Sequence, residues 1–304
     1  MKPPKGSLVG ALQLALASSI VLLALAAVPT PAASQRLPFH YDLLTFRGDS
    51  GGTTIVASVA VSASELRRER RANGTRYRFD VRFVLADRAG RSVVETIDSV
   101  FLRVPFALAR RHILHTVVQI RDAPPSRATE QRIVLTDAAR PGVGQMYQSA
   151  FVTPDYSGSE LMLSDLAFAM PNGRSGWTRR GFTLALLPTS QFPESAFDVY
   201  YEVYNLPRGR PYETEIAIEP IGDDAADEQV VRARFSEESG ADPRGTFGVL
   251  RSVESALSEG RYRITVTVHD RVGGRMASRS RIVEVVGWRP GTTIVRARPK
   301  RGAG

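Results

Sequence analysis

The sequence predicts an all-β fold of two tandem, Ig-like antiparallel β-sandwiches. Three observations lead to this fold class. Hydrophobic and polar residues alternate with a period of two in several segments, the two halves of the chain repeat a similar order of segments, and no segment after the N-terminal apolar stretch has a sustained helical period.

The alternation is clearest in the segment that begins at Thr75, TRYRFDVRFVLADRAGRSV. There Tyr77, Phe79 and Val81 fall on one face, whereas arginine and aspartate side chains fall on the other, as expected for a strand with one buried face. Similar segments begin at Tyr212 and Tyr262.

The repeat is clearest near the end of each half, where RIVLTDAARPGVGQ from Arg132 resembles RITVTVHDRVGGR from Arg263. Each run breaks at an aspartate, Asp137 or Asp270, into a turn that contains glycine, so both aspartates are predicted to be structural. The offset of about 120 to 140 residues is too long for a solenoid repeat and fits two whole domains.

Tyr262 follows Gly260 at the start of a long predicted strand. In Ig-like sandwiches a tyrosine at such a corner bonds to the backbone a few residues upstream. We therefore predict a structural role for Tyr262.

The N-terminus predicts export. Lys2 and Lys5 precede an apolar stretch from Leu8 to Val28, and residues 1–34 resemble a signal peptide that ends at the small residues 32–34. The alternative is an uncleaved anchor in the inner membrane formed by residues 8–28, because about 20 apolar residues can span a bilayer. The expected location is the periplasm or the extracellular space.

Four regions follow from these features: the signal segment 1–34, sandwich domains over 35–156 and 157–288, and a basic tail over 289–304. The chain has a net charge of +9 and no cysteine. Most of the charge lies in the two N-terminal lysines and in the tail, so the body is nearly neutral and no specific nucleic-acid binding is expected. Each domain has to be stabilised by burial without disulfides.

No motif for catalysis appears. The histidines (His40, His112, His115 and His269) lack metal-ligand spacing, no Gly-x-Ser-x-Gly elbow is present, and the acidic stretch around Asp223 lacks the spacing of an EF-hand loop. The sequence predicts a protein that is not an enzyme, with no catalytic residues, no metal site and no cofactor.

Aromatic residues are the candidate ligand contacts. Tyr200 and Tyr204 fall on one face of a predicted strand and Tyr201 on the other, so at least one ring is expected to be exposed. Trp177, in the polar segment NGRSGWTRRG, is a further candidate. These rings predict either a stacking platform for sugars or half-buried structural residues.

A family resemblance rests on three runs: Ser164 and Asp165, then Tyr200 to Leu206, then Gly260 to Val268. These runs resemble the C-terminal β-rich region of exported bacterial GWxTD-domain proteins, over about 130 residues. The GWxTD segment itself is absent, since the sequence around Trp177 does not match it. The resemblance implies compartment and fold, and no activity.

Together these features predict a non-catalytic protein of the bacterial cell envelope that acts as a protein-binding or structural module. The expected partner is an envelope protein. The alternative is a carbohydrate-binding module with a polysaccharide as ligand. Contact with a membrane is expected only through the N-terminal segment, if that segment remains uncleaved.

Overall fold

The computed structural model describes residues 36–87, 89–109, 112–171, 176–190, 192, 196–222, 230–254 and 257–286. All regular elements in these ranges are β-strands, and every paired ladder between them is antiparallel, so the predicted all-β class is confirmed. Within the same ranges there is no helix with the length and apolar character of a membrane span. The predicted signal segment and the basic tail lie outside the described residues.

Eight strands make up the first half. They are β1 (His40–Arg47), β2 (Thr53–Ser62), β3 (Glu69–Arg71), β4 (Gly74–Ala86), β5 (Ser92–Val104), β6 (Ile113–Ala123), β7 (Ser126–Asp137) and β8 (Gly144–Thr153).

Ten strands make up the second half. They are β9 (Met162–Leu163), β10 (Ala167–Met170), β11 (Trp177–Arg179), β12 (Phe182–Leu186), β13 (Phe197–Tyr204), β14 (Pro211–Ile221), β15 (Val231–Glu238), β16 (Phe247–Val253), β17 (Gly260–Asp270) and β18 (Met276–Val285).

Each half forms a sandwich of two sheets. In the first sandwich, sheet β1-β2-β6 packs on sheet β5-β4-β7-β8, and the short β3 also pairs with β4. In the second sandwich, β10-β13-β16 packs on β15-β14-β17-β18, and β9, β11 and β12 extend the first of these sheets. Seven strands therefore follow the same order in both sandwiches.

The alternation of apolar and polar residues directs the apolar side chains into the cores, as the sequence predicts. In β4, Tyr77, Phe79 and Val81 are at most 2% exposed and face the core, whereas the residues between them are half-buried or exposed. β13 differs, because all eight of its residues are buried. One face of β13 lies in the core of the second sandwich, and its other face lies against the first sandwich.

Candidate functional site

A third apolar cluster joins the two sandwiches. Leu44, Phe46 and Val56 on the outer face of sheet β1-β2-β6 pack against residues such as Leu186 and Tyr200 on the outer face of the sheet that contains β13. Phe46 lies 6.1 Å from the Tyr200 ring, measured between ring centroids. The sheets of the described residues from 36 to 286 thus form a stack of four, in which the two middle sheets cover each other.

A buried carboxylate lies at the edge of this interface. Glu202 in β13 has no exposed surface. Arg179 donates to both of its oxygens, at 2.7 and 2.9 Å, and Arg180 donates to Oε1 at 3.0 Å. The hydroxyls of Tyr200 and Tyr204 add bonds of 2.9 and 2.8 Å. Five donors therefore compensate the loss of hydration of one buried charge.

The predicted ligand tyrosines are all in the interior. Tyr200, Tyr201 and Tyr204 are 0% exposed. The assignment of Tyr200 and Tyr204 to one face and Tyr201 to the other agrees with the structure, because Tyr201 belongs to the core of the second sandwich and Tyr200 to the interface. The expectation that at least one ring is exposed is wrong, since the first sandwich covers the outer face of β13.

Trp177 is also buried. It is 6% exposed, and its ring lies 5.1 Å from Phe46 and 6.1 Å from Tyr200, between ring centroids. It packs in the cluster between the sandwiches and presents no free face for a sugar.

Burial also sets the protonation of these tyrosines. It raises the pKa of Tyr156 and of Tyr201 to about 12. The pKa of Tyr200 and of Tyr204 is raised by burial and further by the adjacent Glu202 carboxylate. All four hydroxyls are therefore protonated at neutral pH and do not act as phenolate bases.

The second sandwich also satisfies the free edge of β1. Thr45 N–H donates to Asp165 Oδ2 at 2.8 Å, and Asp165 N–H donates to the Thr45 carbonyl at 3.0 Å. Arg47 N–H donates to the Tyr204 hydroxyl at 2.8 Å, and Arg179 donates to the Arg47 carbonyl at 2.8 Å. Side chains of the second sandwich thus replace a neighbouring strand at an edge that would otherwise be open.

The two predicted turn aspartates occupy matching positions at the ends of β7 and β17. Each is 2% exposed. Asp137 accepts bonds from the backbone of Arg67 and Ala139 and from the side chain of Arg140, at 2.6 to 2.8 Å. The carboxylate therefore stabilises its own turn and fixes the position of the loop that contains Arg67.

Asp270 does the same in the second sandwich. It accepts bonds from the backbone N–H groups of Val272 and Gly273 and from the Arg275 side chain, at 2.8 to 3.1 Å. Burial alone would raise the pKa of Asp270, but these bonds outweigh burial and hold the pKa below its ordinary value.

Tyr262 is the third residue of the long strand β17 and is 5% exposed. Its hydroxyl donates to the Ser258 carbonyl at 3.2 Å. This is the contact across a corner that the sequence predicts for a structural tyrosine.

Three of the four histidines lie in the first sandwich, and His269 lies in the second. No group of three or more metal-ligating side chains occurs in the described part of the chain. His115 is 9% exposed, and its pKa is lowered to about 4 by burial and, to a smaller extent, by His40. The acidic stretch around Asp223 lies outside the described residues.

An open groove of about 780 Å³ lies along the side of the second sandwich. Its walls include residues 247–251 of β16 together with Phe182 and Tyr212. Arg251 of β16 reaches across it to Glu237 of β15, which also accepts a 2.8 Å bond from the Tyr212 hydroxyl. Because the groove depends on how two distant strands are placed, no local sequence pattern indicates it.

Glu202 was also missed by sequence reasoning. One signal was present in the segment FDVYYEVY, where large side chains occupy both faces of a strand. Such a strand is buried on both sides, so a carboxylate within it has to be paired.

No family model matches the chain, and no curated protein matches it in sequence. Among solved structures, the chain is similar to a transglutaminase of red sea bream, at 12% identity and a TM-score of 0.22, over 82% of this chain and 31% of that chain. It is also similar to a β-glucuronidase of Bacteroides uniformis, at 11% identity and a TM-score of 0.27, over 79% of this chain and 26% of that chain. The chain thus spans about a quarter to a third of those proteins, and these low scores carry no argument about activity.

Proposed function

We propose that this β-sandwich protein is a non-catalytic module of the bacterial cell envelope that binds another envelope protein. The observation that carries the proposal is the joining of the two sandwiches into one unit by an apolar interface and by the bonds of Tyr204 and Arg179 to the Arg47 backbone. A unit of this kind holds its strand edges and loops in fixed positions, as a binding scaffold requires.

Export is the part of the proposal that rests on sequence. The apolar stretch from Leu8 to Val28 after two lysines supports passage through the inner membrane. The resemblance to exported GWxTD-domain proteins supports the same compartment. The absence of cysteine leaves burial and ion pairs as the stabilising interactions.

Chemical crosslinking in cells tests the proposal. A tagged full chain is expressed in its native envelope and crosslinked, and the proteins and glycans that co-purify are identified. We expect one or a few envelope proteins in fixed ratio. The matched control is the tagged chain without residues 1–34, which should stay in the cytoplasm and recover none of them.

Two outcomes would contradict the proposal. Recovery of glycan without a protein partner would indicate a carbohydrate-binding module. Recovery of the same proteins by the control would show that export is not needed for the interaction.

A further inference from the structure

The groove exposes an unpaired strand edge. β16 is the last strand of its sheet and pairs only with β13 among the described strands. Edge strands carry free N–H and C=O groups that can pair with another chain.

The register shows which groups of β16 are free. Ser164 N–H donates to the Glu202 carbonyl, and Glu202 N–H donates to Ser164 Oγ, so the backbone of Glu202 points away from β16. The backbone N–H and C=O groups of its neighbours Tyr201 and Val203 therefore point toward β16, where these residues pair with Val249 and Phe247.

The alternate residues of β16 are Gly248, Leu250 and Ser252, and their N–H and C=O groups point into the open side. Among the described residues, the only bond to any of these groups is a long contact of 3.5 Å from Arg251 to the Leu250 carbonyl. The strand contains no lysine and no proline, the residues that often protect an edge.

The shape of the groove selects a single chain. The edge of β16 lies between Phe182 on one side and Tyr212 and Phe247 on the other. One extended chain fits in such a groove. In a second copy of the protein, β16 lies within its own groove, so two copies cannot bring these edges together directly.

The charges around the groove balance. Arg180, Arg208 and Arg251 are matched by three acids, Glu237, Glu238 and Asp242. Arg180 donates to Asp242 at 3.1 Å, and Arg251 is paired with Glu237. A guest chain therefore meets the half-buried Phe182 ring and main-chain groups, with no net charge to neutralise.

We propose that β16 accepts one extended, uncharged peptide strand of a partner protein, with apolar side chains at alternate positions. Main-chain bonds to Gly248 and Leu250 would supply affinity, and the half-buried Phe182 ring beside the edge would select apolar side chains. The inference rests on the proposed function and names the surface that would carry it.

Gly240 allows the groove to be blocked without changing the fold. It lines the groove, and a Cβ placed on it meets no atom within 4 Å. Gly240→Trp should therefore fill the groove. Leu250→Pro should remove one outward N–H that makes no native bond.

Ser99 on β5 supplies the matched controls. The Arg78 carbonyl of β4 accepts a bond from the Ala138 N–H, just after the end of β7. The backbone N–H and C=O groups of the next residue, Phe79, therefore point toward β5, where Phe79 pairs with Val100. The N–H of Ser99, the next residue, therefore points off the outer edge of β5. Ser99→Trp and Ser99→Pro place the same two side chains on an edge of the other sandwich.

The probe is a phage-displayed library of random nine-residue peptides, selected on the immobilised full chain. A labelled synthetic copy of an enriched peptide is then titrated against the full chain and each variant by fluorescence anisotropy. We expect enriched peptides with alternating apolar residues, and binding weakened about tenfold or more by Gly240→Trp and Leu250→Pro. Neither Ser99 variant should weaken binding.

Amide hydrogen exchange then tests strand pairing. Peptide binding should slow exchange at Gly248 and Leu250, whose N–H groups are free, and leave Val249 unchanged because it is already paired. Enriched peptides that bind Gly240→Trp as tightly as the native chain would overturn the proposal. Self-association of the chain that Gly240→Trp abolishes would also overturn it, because the occupant would then be a second copy.

The two proposals fail separately. An envelope partner that crosslinks equally well to Gly240→Trp would support the proposed function and overturn the groove. If a peptide binds in the groove but the chain captures no envelope protein in cells, the groove is supported and the proposed function is overturned. If Leu250→Pro does not fold, Gly240→Trp alone decides.

Discussion

The two sandwiches share one strand order but differ along one side. In the first, β5 and β6 lie next to each other, and Thr116 of β6 donates to Asp98 of β5 at 2.8 Å. In the second, the corresponding strands β15 and β16 do not approach in this way among the described residues, and only long side chains such as Arg251 and Glu237 bridge them. The same connectivity therefore produces a closed side in one sandwich and a groove in the other.

The faces that meet between the sandwiches differ in side-chain size. The central strand of the first sandwich presents small residues, Val56, Ser58 and Ala60, whereas β13 presents Tyr200 and Glu202. Large side chains on one face fit over small side chains on the other. This complementarity lets a buried charge lie at the interface without separating the sheets.

The largest expected effect on stability follows from the buried charge on β13. Glu202→Ala would leave the largely buried guanidinium group of Arg179 without its anion, whereas Arg180 would keep its bond to Asp242. We expect a loss of about 3–5 kcal/mol in the free energy of unfolding, measured by urea denaturation.

Glu237→Ala is the control for Glu202→Ala. Glu237 also pairs with an arginine, Arg251, but its side chain is 43% exposed. We expect a loss of at most about 1 kcal/mol. Equal effects of the two substitutions would show that the buried pair does not stabilise the interface.

The next effect is a pH dependence that belongs to the first sandwich. Because the pKa of His115 is lowered to about 4, an unfolded chain binds a proton below pH 6.5 that the folded chain does not. Stability should therefore fall as the pH decreases from 6.5 toward 4, by up to about 3 kcal/mol.

Urea denaturation at several pH values, with His115→Gln as the test variant, checks this effect. The substitution should remove most of the slope between pH 6.5 and 5. His40→Gln is the comparison variant: burial lowers the pKa of His40 as well, without the large shift seen at His115, so this substitution should remove a smaller part of the slope than His115→Gln. An unchanged slope in His115→Gln would show that other groups cause it.

A smaller effect should be the same in both sandwiches. Asp137→Ala and Asp270→Ala each remove bonds to two backbone N–H groups and to one arginine. We expect each substitution to cost about 2 kcal/mol by urea denaturation. A difference of more than about 1 kcal/mol between them would show that the two turns are not equivalent.

These two aspartates also show what the sequence could predict. The structure places both in the turns where the sequence predicts them, because the signal is local: a strand, an aspartate and a turn. The alternation of Tyr77 and Phe79 is a local signal of the same kind. The burial of Trp177 depends on contacts between the sandwiches, and the pairing of Glu202 depends on contacts between separate strands of the second sandwich. No pattern within one segment encodes such contacts.

The smallest effect tests whether the sandwiches unfold together. Tyr262→Phe removes the hydroxyl that donates to Ser258, and we expect a loss of about 1 kcal/mol. Tyr262 belongs to the second sandwich, so the direct loss of stability is confined to that sandwich. The corresponding strand of the first sandwich, β7, contains no tyrosine. If the interface couples the two, amide exchange in the cores of both sandwiches should accelerate equally, because both are protected by the same global unfolding. Faster exchange in the second core alone would mean that it opens independently, and Glu202→Ala should then destabilise the contact between the sandwiches more than either core.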